Sequence, residues 1–282
     1  MDKETRMAAR TGWFRIANLL AWFAMIAVNI LANALPIGGT TTGAVSDAYP
    51  NLFAPAGITF SIWGLIYILQ GMFALAPFGV FGGRAPIRAD IVRSASPPFL
   101  FYCALNAGWL LAWHHDLIPL SMALMVLLLV CCAWAYRVME RFQPVMRIPD
   151  KVFVRLGFRV TFGWITVATV ANAVTLLVSL GWGGWGIDPQ VWLILVLTAT
   201  LAIGLAVTLQ GRDAAYGMVI LWAYLGILFK HISASDGGFG RRYPSALICL
   251  IFCLILQFTA VILAIHHSRH RAGKMPEAHL LD

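Results

Sequence analysis

The chain has 282 residues, 60% of them hydrophobic and only 11% charged, with 20 Lys and Arg against 12 Asp and Glu. Water-soluble domains carry about 25% charged residues, so this composition excludes an ordinary soluble enzyme, a disordered chain and a collagen-like repeat. The net charge of +8 does not mark a nucleic-acid binder, because the cations gather in particular loops between long apolar runs.

A helix needs about 20 mostly apolar residues to cross the hydrocarbon core of a bilayer. Eight segments approach that length: 14–36, 56–80, 97–113, 118–137, 159–181, 190–210, 214–231 and 244–266. Amides in lipid must be satisfied within their own segment, so each span is expected to be helical. The fold class is therefore all-α, a polytopic helical membrane protein with about eight transmembrane helices. The alternating strands of an outer-membrane barrel are absent.

In the first span, Asn29 and Asn33 lie four apart and are followed by Pro36. Ala32-Asn33-Ala34 resembles a signal cleavage site, but the apolar stretch exceeds a signal core of about 7–15 residues, so the helix is expected to be retained. In the second span, Trp63, Tyr67 and Gln70 share one face at i, i+4, i+7. In the third and shortest, Asn106, Trp109 and Trp113 share a face at i, i+3, i+7. The fifth carries Trp164, Ala168 and Asn172 at i, i+4, i+8. A Gly-rich turn at 181–188 then divides the chain, and three plainer spans follow. The five cysteines, Cys103, Cys131, Cys132, Cys249 and Cys253, all sit within apolar runs and read as small core residues, not as a disulfide framework.

Orientation follows the cations. With eight spans and both termini inside, 17 of the 20 Lys and Arg are cytoplasmic, and the exceptions, Lys230, Arg241 and Arg242, share one outer loop. Lys230 and His231 are expected to snorkel from the end of the seventh span. The expected location is a bacterial cytoplasmic membrane, crossed several times.

Four spans thus present Trp, Tyr, Asn or Gln on defined faces. One reading is a shared pocket walled by flat rings and edged with amides, suited to a flat, largely apolar ligand. Two plainer readings stand beside it. Asn and Gln can act as interhelical glue, worth about 0.6 kcal/mol each. Trp can also belong to the belt at the lipid headgroups: Trp13, Trp182 and Trp185 suit it, and Trp63 and Trp164 lie near enough to span ends to suit it too.

Three stretches resemble the tryptophan-rich sensory protein family, also called the translocator protein (TspO/MBR) family. They are Phe53 to Tyr67, with Pro55 leading into a helix that carries Trp63 and Tyr67; Asn106-Ala107-Gly108-Trp109; and Trp164 to Asn172, with Ala168-Thr169 between. The resemblance covers about 25–180. It implies a five-helix bundle over 1–181 that binds porphyrins and other flat hydrophobic ligands, with 182–282 adding three helices and a basic tail. The ligand-binding positions it implies are Pro36, Trp63, Tyr67, Asn106, Trp109, Trp164 and Asn172, to which the third-span spacing adds Trp113. The family usually has Phe four residues before the second-helix Trp, where this chain has Thr59, with Phe60 one later. The cholesterol-recognition pattern is missing after the fifth helix.

The function expected is ligand binding for sensing or transport, with a porphyrin or haem as ligand and no obligatory cofactor. The expected partners are a hydrophobic small molecule and membrane lipid, a homodimer being allowed and nucleic acid excluded. Two alternatives remain: a transporter using all eight helices, and a membrane enzyme acting on a tetrapyrrole or lipid. No catalytic residue is expected, since no Walker loop, dinucleotide motif, HExxH or recognisable triad occurs. His114-His115-Asp116 is the best local cluster for a metal or haem iron, its plainer reading being an exposed turn. No metal ligand is assigned.

Overall fold

The computed structural model describes residues 3–34, 39–80, 87–235 and 237–272. Among the described residues all regular structure is helical, without a strand. The long helices are α1 (Lys3–Ala34), α3 (Ile62–Leu75), α4 (Ala89–His114), α5 (Ile118–Phe142), α6 (Leu156–Ser179), α7 (Pro189–Gln210), α8 (Ala214–Ile232) and α9 (Pro244–Ala272). A short α2 (Thr42–Asp47) lies in what the sequence presents as the first loop. Thr41 caps it, the hydroxyl accepting from the Ala44 N–H at 3.3 Å.

Seven of these helical segments are long and apolar enough to cross a membrane. The helix not among them is α4, the shortest expected span. It runs 26 residues, but Asp90 and Arg93 charge its first turns and Pro97-Pro98 interrupt its apolar face. It is nevertheless a full member of the bundle, packed between α1 and α5.

The first five long helices close on themselves. Each of α1, α4, α5, α6 and α3 packs on the next in that order, and α3 returns to α1. Close approaches fall at glycines: Gly71 of α3 meets the Trp22 ring of α1, and Gly157 of α6 meets the Leu69 backbone of α3. Polar pairs add register. Asn18 donates to Ser96 Oγ at 2.8 Å between α1 and α4, and Gln70 donates to Thr161 Oγ1 at 2.6 Å between α3 and α6.

The remaining three helices form a layer on this bundle. α9 packs on α7 and α8, while α8 packs on α6 and on the 3₁₀ turn Gly57–Ser61 that leads into α3. Two acidic caps start these helices. Asp188 accepts from the Gln190 N–H at 2.7 Å and Asp213 from the Tyr216 N–H at 3.0 Å. At one end of the molecule, called here the Arg155 end, Glu140 of α5 pairs with Arg155 at 2.5 Å and with Arg159 at 3.2 Å. Arg159 also reaches the buried Asp213 at 3.1 Å, tying the bundle to the added layer.

At the opposite, Asp47 end the structure corrects a detail. Lys230 and His231 do not snorkel. Lys230 Nζ pairs with Asp47 at 2.6 Å, and His231 is fully buried with Nε2 at 2.9 Å from the Leu52 carbonyl.

Candidate functional site

The aromatic faces of α3, α4 and α6 turn inward and meet in the Asp47 half of the bundle. Trp63 is the hub. Its ring stacks on Tyr67 at 5.6 Å, lies 5.5 Å from Trp109 and meets Trp164 edge-on at 6.1 Å. Trp109 stacks in turn on Trp113 at 6.0 Å. Offset and edge-to-face pairs at these separations are the favoured geometry for aromatic quadrupoles. Trp63, Trp109, Trp113 and Trp164 are all buried, which removes Trp63 and Trp164 from the headgroup belt. Trp13 and Trp185, at 66% and 78% exposed, remain in keeping with it.

Carboxamides hold two of these rings, Trp109 and Tyr67. Trp109 Nε1–H donates to Asn172 Oδ1 at 3.0 Å, and Asn172 is held by Ser121 of α5 at 3.0 Å. Asn29 accepts from the Tyr67 hydroxyl and donates to Asn106 Oδ1 at 3.0 Å, joining α1, α3 and α4. Trp113 Nε1–H donates to the Thr42 carbonyl at 3.1 Å, and Thr42 Oγ1 lies 3.1 Å from His114 Nε2. The amides therefore do act as interhelical glue, and the same bonds fix ring planes around open space.

Two adjoining cavities are both lined by Thr42, Phe60, Trp63 and Trp109. The larger, about 890 Å³, lies between α1, α2, α3 and the end of α4, with Asn29, Thr42, Phe60 and Tyr67 on its walls. Its rim is open where Ile30 and Ala34 of α1 and Gly64 of α3 are exposed. The smaller, about 40 Å³, is enclosed by Trp63, Trp109, Trp113, Trp164 and Asn172, with Ala223 and Ile227 of α8 opposite. Thus Trp63, Tyr67, Trp109, Trp113, Trp164 and Asn172 are brought to the cavities. Asn106 is fully buried behind them as a partner of Asn29. Pro36 lies outside the described residues.

Asn29 entered the pocket reading as a first-span amide but not the set of ligand-binding positions. Other lining residues escaped sequence reading, and Thr42 gave no spacing signal. Phe60 is explained by local geometry. Phe60 is in the last turn of the 3₁₀ segment Gly57–Ser61, whose tighter winding of about three residues per turn runs into α3 and brings a residue three before Trp63 to the Trp63 side. It lines both cavities and meets Trp164 edge-on at 6.2 Å. Thr59, which stands where a phenyl ring was expected, points instead to Gly226 of α8. Ala223 and Ile227 gave no signal beyond apolarity.

The His114-His115-Asp116 cluster does not converge. His114 is buried against Thr42, while His115 and Asp116 are exposed and Asp116 accepts from the Tyr49 hydroxyl. Among the described residues no group of three His, Cys, Asp or Glu is placed to hold a metal ion. The five cysteines are free, four of them buried and Cys249 half-buried.

A many-span helical membrane protein with an aromatic and carboxamide cavity in one half of a five-helix bundle is the class that this arrangement defines. The family model described as TSPO-like protein matches residues 15–265, and the chain belongs to that family. The match extends past the five-helix bundle through α7, α8 and most of α9. No curated protein and no solved structure matches the chain.

Proposed function

We propose that the protein binds a flat hydrophobic ligand, a porphyrin or related tetrapyrrole, in the paired cavities, and uses that binding for sensing or transport. The observation that carries this reading is the convergence of Trp63, Tyr67, Trp109 and Trp164, from three helices, on two adjoining spaces. A volume of about 890 Å³ falls within the range of about 300–1,000 Å³ usual for small-molecule sites. The walls offer π-faces and fixed amides but few charges, which suits a ligand that is mostly apolar and planar. Porphyrin or haem is a ligand here, and the site needs no resident cofactor.

The surrounding bilayer supplies the second partner, and a homodimer is compatible with the reading. In a bacterial cytoplasmic membrane with both termini inside, the Asp47 end faces outward. Lys230, an exception to the inward bias of the cations, is then neutralised by Asp47.

The test is titration of tryptophan fluorescence with protoporphyrin IX in purified protein. Saturable quenching is expected, and Trp63→Ala combined with Trp109→Ala lowers affinity about ten-fold or more, since each aromatic contact is worth about 0.5–1.5 kcal/mol beyond its area. No saturable quenching, or unchanged affinity in the double variant, overturns the reading. Flux of the bound porphyrin into proteoliposomes separates transport from sensing.

A further inference from the structure

The small cavity is not closed by the five-helix bundle alone. Its far wall is Ala223 and Ile227 of α8, at 2% and 1% exposed. Tyr216, Ile220, Ala223 and Ile227 lie at i, i+4, i+7, i+11, so one buried stripe of α8 runs along the bundle. At Ala223 that stripe drops from large side chains to a methyl, and the cavity lies against it.

The helix cannot shift freely to adjust this space. On one side Gly163 of α6 is in tight contact with Val219 and the Tyr216 carbonyl. On the other, Gly226 of α8 abuts Thr59, the Ala56 N–H donates to the Gly226 carbonyl at 3.0 Å, and Trp222 Nε1–H donates to the Thr59 carbonyl at 2.9 Å. Close contacts on both sides of Ala223 hold α8 at a set distance from Trp63 and Trp164. The size of the side chain at position 223 then controls the volume left, about 40 Å³.

We infer that Ala223 is a specificity-determining residue of the ligand site: the inner chamber receives a small apolar substituent on the edge of the flat ligand, and Ala223 sets how large that substituent can be. This rests on the ligand-binding reading above and extends the site to a helix outside the five-helix bundle.

Two porphyrins test it in the full-length protein. Deuteroporphyrin IX carries hydrogen where protoporphyrin IX carries vinyl groups. Affinities for both are measured by tryptophan quenching in wild type, Ala223→Leu, Ala223→Gly and the lipid-facing control Leu225→Ala. Ala223→Leu is expected to weaken protoporphyrin about ten-fold relative to deuteroporphyrin, the usual discrimination for added bulk in an apolar pocket. Ala223→Gly moves the ratio the opposite way, which a folding defect cannot do, and Leu225→Ala leaves it unchanged. A ratio unaltered in both Ala223 variants, with wild type binding both porphyrins, overturns the inference and leaves the ligand-binding reading standing. If wild type binds neither porphyrin, the porphyrin reading falls, and this inference falls with it.

Discussion

Asn29 joins three groups through one side chain: the Tyr67 hydroxyl, Asn106 Oδ1 and its own helix at the Met25 carbonyl. Interhelical hydrogen bonds in membranes average only about 0.6 kcal/mol, but removing Asn29 takes a partner from the buried Asn106 and from the half-buried Tyr67 at once. Asn29→Ala is therefore expected to cost about 1–2 kcal/mol, read as a lowered unfolding midpoint in detergent. Asn172 differs, because its bond to Trp109 Nε1 aims a ring at both cavities. Asn172→Ala is expected to weaken porphyrin quenching more than it lowers stability. At the loop surface, the hydrogen bond to Asp116 pushes the Tyr49 phenol up to about 12, with partial burial and the carboxylate charge adding to it. A raised phenol pKa means that this contact holds at full strength below the ordinary value of 10.0 and is lost as pH rises through about 12. Phenolate absorbance should show that late titration, and Asp116→Ala should move it back toward the ordinary value.

At its Asp47 end, α8 is held by close backbone approach more than by charge. Asp47 is half exposed, so its ion pair with Lys230 is screened and worth under about 1 kcal/mol. The contact of Gly226 with Thr59 tolerates far less change, since a Cβ at 226 would lie 2.0 Å from Thr59 Oγ1 and 2.8 Å from its Cβ. Gly226→Ala is expected to cost about 1–3 kcal/mol through overpacking. Thr59→Ala added to it should recover part of the loss, giving a non-additive double-mutant cycle in thermal unfolding. Lys230→Gln should cost less than Gly226→Ala in the same measurement. The 3₁₀ turn Gly57–Ser61 serves both neighbours: it sends Phe60 to the cavities and Thr59 to α8.

Across the whole molecule, the Gly-rich turn at 181–188 divides the chain but not the site, because α8 closes the chamber that the five-helix bundle opens. The two parts are also joined at the Arg155 end by Arg159 and Asp213. Burial pushes the Asp213 carboxyl above its usual range, and the Arg159 guanidinium opposes that rise. Removing one partner of a buried pair costs about 3–5 kcal/mol, so Arg159→Gln should destabilise the protein strongly. Its sign with pH is fixed by the same shift. A carboxyl with a raised folded pKa is stabilising when protonated, and that contribution is lost as pH rises through the folded value. Mild acidification should thus restore part of the stability of Arg159→Gln. Asp213→Asn should lose less, since an asparagine oxygen can still cap α8 at the Tyr216 N–H.

Apolar run length and cation placement were enough to define a helical membrane protein, because a backbone in lipid has few ways to satisfy its amides. Spacing within each span also identified the inward faces of α3, α4 and α6, since a helix places residues three and four apart on one side whatever surrounds it. Which faces meet is a different matter, decided by packing between segments far apart in the chain. The closed order α1, α4, α5, α6, α3, the 3₁₀ turn that brings Phe60 round to Trp63, and the docking of α8 on Thr59 leave no local period to read. Ala223 is the clearest case: in the sequence it is one alanine in an apolar run, and only its position opposite Trp63 and Trp164 makes its methyl a wall of the chamber.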